Sequence, residues 1–441
     1  MERQNEYVLR TVEERGVRFI RLWFTDVLGQ LKSFAITPAE LEVALEEGMT
    51  FDGSAIEGFS RVQEADMLAC PDPATFEIVP WRGDDHPVAR VFCDIQHLSG
   101  EPFEGDPRYV LKRNLDKARE KGFTFYAGPE MEFFYFENSE APVPLDNAGF
   151  FDLTHEDMVS ELRRQTILAL EAMGIPVEYS FHENAPSQHE IDLRYSDALS
   201  MSDNIMTFRL LVKEIAHSLG AYATFMPKPI AGAFGSGMHT HLSLFEGDVN
   251  AFHDPGDEYG LSKVAKHFIA GLLHHAPAIT AVTNQWVNSY KRLIVGYEAP
   301  VHISWARNNR SALIRVPITK RGKESSTRIE YRAPDPACNP YLAFSVMLAA
   351  GLDGIDEGYE LAPEATNNLF EMTDAERRAE GIGLLPRSLG EAIDAMEQSE
   401  LVADALGEHT FEWFIRNKRS EWEQYKQYVT QFELDRYLGL L

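Results

Sequence analysis

Two glutamates two residues apart, Glu130 and Glu132, lie in the segment GPEMEFFYF. The aromatic run reads as a strand, on which residues two apart share a face, about 6–7 Å from one another. Alone, the pair fits a solvated strand face, but the flanking Phe133, Phe134 and Phe136 point to burial. A buried carboxylate calls for a metal or another cation. A second cluster, EYSFHENAPSQHEID, holds Glu178, Glu183 and Glu190 around a turn-like stretch at 184–187, and alone it fits an acidic surface hairpin. In a third, GAFGSGMHTHLSLF, small residues lead into His239 and His241, which alternate on an expected strand. Glycines before such a pair allow close backbone approach to a ligand, although two core histidines would give the same pattern. The fourth is Arg328-Ile329-Glu330-Tyr331-Arg332, with Arg292, Glu298, Arg310 and Arg315 shortly upstream. Arginines gathered in an acidic chain suit phosphate or carboxylate ligands; surface ion pairs are the competing reading.

Together the clusters say more than each does alone. Carboxylates with one or two histidines and no cysteine describe a site for Mg²⁺ or Mn²⁺ rather than structural zinc. Arginines beside such metals describe phosphoryl transfer. The chain carries no GxxxxGK[ST] loop and no GxGxxG after a strand. From the residues themselves, both an ATP-using enzyme and a metal phosphohydrolase remain open.

These residues need a scaffold, and 441 residues suffice for roughly two to three domains. Lys plus Arg number 41 against 69 Asp plus Glu, a net charge of −28. That balance argues against nucleic acid or an anionic membrane surface as the main partner. Cys70, Cys93 and Cys338 form no CxxC pair, which fits a reducing compartment and excludes a disulfide scaffold. MERQNEYVLR has no apolar core of a secretory signal, and the apolar stretch at 342–352 is too short to span a bilayer. A cytoplasmic protein is expected. Residues 17–25 (VRFIRLWFT) read as a strand, and 37–47, opening on Thr-Pro, as a capped helix. The Gly-, Pro- and acid-rich stretch 99–107 is the expected boundary between domains at 1–103 and 104–441. Helices are expected over 154–173, with a capping-box-like Thr154 and Asp157, over 204–219 and over 410–429. The class is α+β, a small N-terminal domain with a larger catalytic one.

The sequence resembles type I glutamine synthetase along nearly its whole length. The matching motifs come in order: FDGSAIEGF at 51–59, GPEMEFF, FHENAPSQHEID, PKPIAGAFGSGMHTHLS, NQWVNSYKRL with GYEAP, NRSALIRVP, and RIEYRAPDPACNPYLAF. The resemblance implies a small N-terminal β-grasp domain and a catalytic domain with a curved antiparallel sheet flanked by helices. It implies a homo-oligomer, a dodecamer of two stacked hexameric rings, with active sites between adjacent subunits. The implied reaction has two steps: ATP phosphorylates the γ-carboxylate of L-glutamate, then an amine nitrogen displaces phosphate. By the same resemblance, Glu132, Glu183 and Glu190 would bind one Mg²⁺ or Mn²⁺, and Glu130, His239 and Glu330 a second. Glu178, His241, Ser243, Arg315 and Arg328 would contact ATP. Gly235, Arg292, Arg310 and Arg332 would contact glutamate, and Arg310 and Arg315 would stabilise the transferring phosphoryl group. Glu298 matches the residue that closes the site and accepts a proton, and Asp52, from a neighbouring subunit, would deprotonate the amine.

Four positions depart from the family pattern. DGSS is DGSA here, which puts Ala55 at the ammonium site, and GGYF is AGFF, which puts Phe150 there. Ala233-Phe234 replaces Asp-Asn before GSG, and Phe370 stands where some relatives carry an adenylylated tyrosine. All six implied metal ligands are present, against a catalytically dead relative. The amine pocket keeps Asp52 and Glu183 but loses two hydroxyls at Ala55 and Phe150. An organic primary amine (an alkylamine, ethanolamine, a polyamine or an aromatic amine) is therefore the expected acceptor, with ammonia, as in ordinary glutamine synthesis, the alternative.

Overall fold

The computed structural model describes residues 2–57, 65–82, 85–153, 158–296 and 299–441. The N-terminal unit is a six-stranded sheet. Its spatial order is Leu31–Ile36, Phe19–Thr25, Val88–His97, Asp66–Pro71 and Met49–Asp52, with Glu77–Ile78 also paired to Val88–His97. Phe19–Thr25 and Val88–His97 run parallel, and the other pairings are antiparallel. Alternation decides what each face buries. Ile20, Leu22 and Phe24 join Val8 and Val12 of helix Glu2–Glu14 and Leu41 and Ala44 of helix Leu41–Glu47 in one small core. Trp23 and Phe92 point the other way, edge to face at 5.5 Å, into the core of the large unit.

Polar contacts lock the two units together. The turn after Phe19–Thr25 places Gly29 at φ +80, where a Cβ would meet the Asn339 Cα at 2.9 Å. Gln285 Nε2 donates to the Leu28 carbonyl at 2.8 Å, and Asn339 Nδ2 to the Val27 carbonyl at 3.1 Å. Buried Arg108 reaches Asp72 at 2.8 Å, Asp94 at 2.5 Å and Asp203 at 3.0 Å.

The large unit is built on an eleven-stranded sheet. Along its main path the order is Gly383–Leu384, His302–Ala306, Ala312–Arg315, Ile329–Tyr331, Met238–Glu246, Thr124–Phe136, Gln188–Leu193 and Val177–His182. Only His302–Ala306 and Ala312–Arg315 pair in parallel along this path. One face is apolar: Met131, Phe133, Ile191, Met238, Leu242 and Tyr331 share a core with helices Ala198–Ser218, Lys263–Thr283 and Pro340–Glu357. The other face carries the polar residues singled out above. No helix among the described residues is long and apolar enough to cross a membrane.

The expected elements are found with shifted ends. Residues 38–40 form a 3₁₀ turn before the helix Leu41–Glu47, and the Thr37 side chain caps neither. The Thr37 carbonyl already accepts the Glu40 N–H at 3.1 Å, so the turn closes through the backbone. The proposed capping pair Thr154 and Asp157 lies outside the described residues, and the described helix runs Met158–Ala172. The helix expected from 204 begins at Ala198, where the Asp197 side chain accepts the Ser200 N–H at 3.1 Å. Its start was hidden because buried Asp203, paired with Arg108, breaks the apolar pattern. The last long helix runs Glu408–Gln427.

Candidate active site

Strand register gathers the polar residues on one face. Glu132 lies opposite Glu190, Glu130 opposite His239 and Asp192, His241 opposite Glu330, and Glu330 opposite Arg315. Each pair sits on the face away from the apolar core, because the strand period of two keeps 130, 132, 239, 241 and 330 together. A cavity of about 370 Å³ opens there, lined by Glu130, Glu132, Glu183, Glu190, His239 and Glu330, with Arg292, Arg310, Arg315, Arg332 and Gly235 on its rim. A second cavity, about 210 Å³, shares Glu130, Tyr179 and Arg315 with the first and adds Glu178, His241, Ser243 and Arg328.

Glu130 is the hinge between the two. Its Oε2 is 3.2 Å from His239 Nδ1 and its Oε1 2.8 Å from His241 Nε2. His239 Nδ1 is also 3.6 Å from Glu330 Oε1. Glu330 accepts from Arg315 and faces Arg332 Nε at 3.2 Å. Arg328 Nε donates to His241 Nδ1 at 3.2 Å. Arg292 is held by the carbonyls of Ala333 at 2.6 Å and Arg332 at 3.1 Å. Burial alone would raise the Glu130 carboxyl, but the two imidazoles outweigh it and hold the group well below its ordinary range.

Glu132 and Glu190 behave differently. Burial pushes both carboxyls well above the usual range; Glu183 adds to the effect on Glu132, and Glu132 to that on Glu190. The hydrogen bonds found for Glu132 come from neutral donors, the Gly237 N–H at 2.9 Å and the Gln188 amide at 3.1 Å. Crowded carboxylates in a dry site are costly without a compensating cation. Carboxylate oxygens with a histidine suit a hard divalent ion, and Glu130, His241 and Glu330 bring one donor atom each within 4.8 Å of one another. The donor set therefore fits Mg²⁺ or Mn²⁺.

Four aromatic residues line one part of the larger cavity. The loop after Asp146 lays Phe150 and Phe151 over Phe181, with ring centroids 4.1 Å apart for the first pair and 5.8 and 4.7 Å from Phe181. Tyr179 stacks on Phe181 at 6.0 Å. Phe151 holds φ 59 and Ser187 φ 57, the left-handed region that non-glycine residues occupy at a cost. Both are fastened, Phe151 N–H to the His182 carbonyl at 3.0 Å and Ser187 N–H to Asp146 Oδ1 at 2.9 Å.

Comparison with known proteins adds one decisive observation. Residues 104–437 match the family described as glutamine synthetase, catalytic domain, and residues 16–97 match glutamine synthetase, beta-Grasp domain. The chain belongs to the glutamine synthetase family. It is 60% identical to the glutamine synthetase of Mycolicibacterium smegmatis over the full length of both chains, and 52% identical to that of Thermotoga maritima over 99% of each. The solved structure described as "GmaS/ADP complex-Conformation 1" superposes with a TM-score of 0.88 at 32% identity, covering 98% of this chain and 99% of that one. An α+β architecture with an N-terminal β-grasp unit and a large catalytic unit follows, as the type I resemblance implied.

Within this glutamine synthetase fold, the residues implied for metal and phosphate line the two connected cavities. Asp52 and Ala55 do not; Asp52 ends the strand at the far edge of the N-terminal sheet, accepting the Ser54 N–H at 3.1 Å, and Ala55 lies in the 3₁₀ turn that follows. Glu298 lies outside the described residues. Sequence reasoning missed several lining residues: Asp192, Tyr179, Phe181, Arg307 and Asn308. Asp192 had a signal, the same two-residue spacing after Glu190. Burial, and then Glu130, push its carboxyl up to about 7. The aromatic corner had none, since it depends on a loop folding back.

Proposed function

We propose that this glutamine synthetase family ligase joins an organic primary amine to the γ-carboxyl of L-glutamate, with ATP converted to ADP and phosphate. The aromatic corner carries this reading. Phe150, Phe151, Phe181 and Tyr179 cover one part of the larger cavity with carbon and offer ring faces to an alkylammonium. Ammonium, small and strongly hydrated, needs polar replacements for its water, and neither Phe150 nor Ala55 supplies one.

ATP would lie in the smaller cavity between Tyr179, Ser243 and Arg328, its terminal phosphate reaching Arg315 at the shared wall. Glu130, Glu132, Glu183, Glu190, His239 and Glu330 would hold divalent ions, which neutralise phosphate charge when bound. Arg292 and Arg332, with the Gly235 backbone, hold glutamate so that a γ-carboxylate oxygen faces the phosphorus. That oxygen forms the new P–O bond as ADP leaves, and Arg310 and Arg315 offset the charge on the transferring group. The ammonium group first gives a proton to a carboxylate, the freed amine nitrogen bonds to the γ-carbon, the C–O bond to phosphate breaks, and a second proton leaves the nitrogen for another carboxylate. Asp52 of a neighbouring copy is assigned the first proton, and Glu298 the second together with the closing of the site; a ring-shaped, cytoplasmic dodecamer accompanies this assignment.

The relatives named glutamine synthetase favour a second reading, ammonia as the acceptor. One assay separates the two: phosphate release with ATP, Mg²⁺ and glutamate across ammonia, methylamine, ethanolamine, a diamine and an aromatic amine. An organic amine is expected to give the highest kcat/KM. Ammonia ahead of every amine would establish ordinary glutamine synthesis instead.

A further inference from the structure

Behind Glu183 and Glu190, on the opposite face of the same strands, three groups take no part in the reaction above. His182 and His189 are register partners on Val177–His182 and Gln188–Leu193, with ring centroids 4.6 Å apart. Because Gln188 and Glu190 line the cavity, strand alternation turns His189 to the back. Asp146 reaches over from the loop that carries Phe150. Its Oδ1 is 2.9 Å from His182 Nε2, and its Oδ2 is 3.8 Å from His189 Nε2.

The proton positions follow from the partners. His182 Nδ1 lies 2.7 Å from the Glu183 carbonyl, which only accepts, so that nitrogen carries the hydrogen. Nε2 then faces a carboxylate oxygen across 2.9 Å, a contact that either a second ring proton or a metal ion between the two satisfies. His189 is 1% exposed, yet among the described residues neither of its ring nitrogens has a hydrogen-bond partner, and Asp146 Oδ2 has none either. Buried polar atoms left in this way call for an explanation.

We propose that Asp146, His182 and His189 bind a divalent transition-metal ion of the zinc type, at a centre separate from the catalytic carboxylates. The three donor atoms lie within 4.8 Å of one another. Metal–ligand bonds of about 2.0–2.2 Å in a tetrahedron separate ligand atoms by roughly 3.4 Å; His182 Nε2 lies 2.9 Å from one Asp146 oxygen and His189 Nε2 3.8 Å from the other. Two imidazoles and one carboxylate favour zinc over magnesium, the reverse of the oxygen-rich cavity in front. The outer shell is in place: His182 donates its other nitrogen to a carbonyl, and Asp146 Oδ1 accepts the Ser187 and Ala148 N–H groups at 2.9 and 3.2 Å. Tyr135 and Phe133 wall the site, 5.3 and 6.3 Å from the His189 ring. The Arg163 guanidinium acts on both rings and opposes a cation; the Asp146 carboxylate offsets it. A bound ion would pin the loop bearing Phe150 to the strand end bearing Glu183.

The test is Co²⁺ titration of the chelator-stripped full chain in excess Mg²⁺, which saturates the front carboxylates. The expected result is one Co²⁺ per chain with the visible absorption of a four-coordinate, imidazole-ligated ion. The band should vanish in His189→Gln and Asp146→Asn and persist in Glu132→Ala. No visible band on the wild type, or a band that survives His189→Gln, overturns the proposal. Should the variants fail to fold, zinc content of the wild type after exhaustive dialysis against Mg²⁺ decides: one equivalent per chain supports the centre, and none rejects it.

Discussion

A hydroxyl restored at position 150 should move the preference of this ligase towards ammonia. Phe150→Tyr adds one oxygen at the ring edge and keeps the packing on Phe151 and Phe181. A hydrogen bond to a charged group is worth about 1.5–3 kcal/mol. Phe150 is 42% exposed, so water competes for the new oxygen and the low end applies. That is about 1.5 kcal/mol, or roughly tenfold in kcat/KM for ammonia. An organic amine gains less. Its carbon, stabilised by cover from the ring at about 0.8 kcal/mol per CH₂, would now meet a hydroxyl that needs water. The ratio of amine to ammonia kcat/KM should therefore fall about tenfold, and Ala55→Ser in the same chain should extend the shift. The assay is phosphate release at saturating ATP, Mg²⁺ and glutamate, with both acceptors titrated. An unchanged ratio in Phe150→Tyr would refute the role given to this ring, and so would a wild type that already uses ammonia best.

Other perturbations read other parts of the molecule. Glu132→Ala or Glu330→Ala should abolish phosphate release with every acceptor, because each removes a carboxylate from the cation-binding cluster; near-normal turnover in either would sink that assignment. Arg108→Ala should destabilise the chain by about 3–5 kcal/mol in chemical denaturation, since three carboxylates lose their buried partner. The same variant should flatten the acid side of the stability profile. Burial raises the Asp94 carboxyl, but Arg108 and then Lys112 outweigh it and hold the group low. Its contribution is thus full above the unfolded carboxylate range, about 3.9, and is lost as pH falls through the lower folded value; a wild-type profile flat through that window would contradict this. Phe370 carries no hydroxyl, so mass spectrometry of cells under nitrogen excess should find no AMP adduct on the peptide around it.

How much of this was legible in the sequence depends on the range over which each feature is determined. Glu130 and Glu132 could be placed on one face from two residues and an aromatic run, because the pleat repeats every two residues whatever the rest of the chain does. His239 and His241 shared a face for the same reason. That Glu130 would sit between both imidazoles was not legible, since it depends on the register of Met238–Glu246 against Thr124–Phe136. Helix ends were blurred where a buried charge served the tertiary structure, as Asp203 does for Arg108. The seven ordered motifs supplied what spacing could not, the β-grasp unit and the joining of distant clusters into one site.

The departures from the family pattern fall unevenly across the site, and that unevenness bears on the chemistry. The carboxylates, histidines and arginines that would handle phosphate all meet in two connected cavities. Of the four departures, Phe150 and Phe234 line the larger cavity, and Ala55 lies in the turn after Asp52, the segment that the proposed reading takes from a neighbouring copy. Loss of selection on catalysis would scatter changes among metal ligands as readily as among pocket residues. Instead the charged groups persist while one wall turns to carbon, and the loop building that wall is fixed by Ser187, Asp146 and His182 in a conformation that costs backbone strain at Phe151. Changes gathered at one end of a cavity whose charged residues keep the family pattern are what selection on the acceptor, rather than on activation of glutamate, would leave behind.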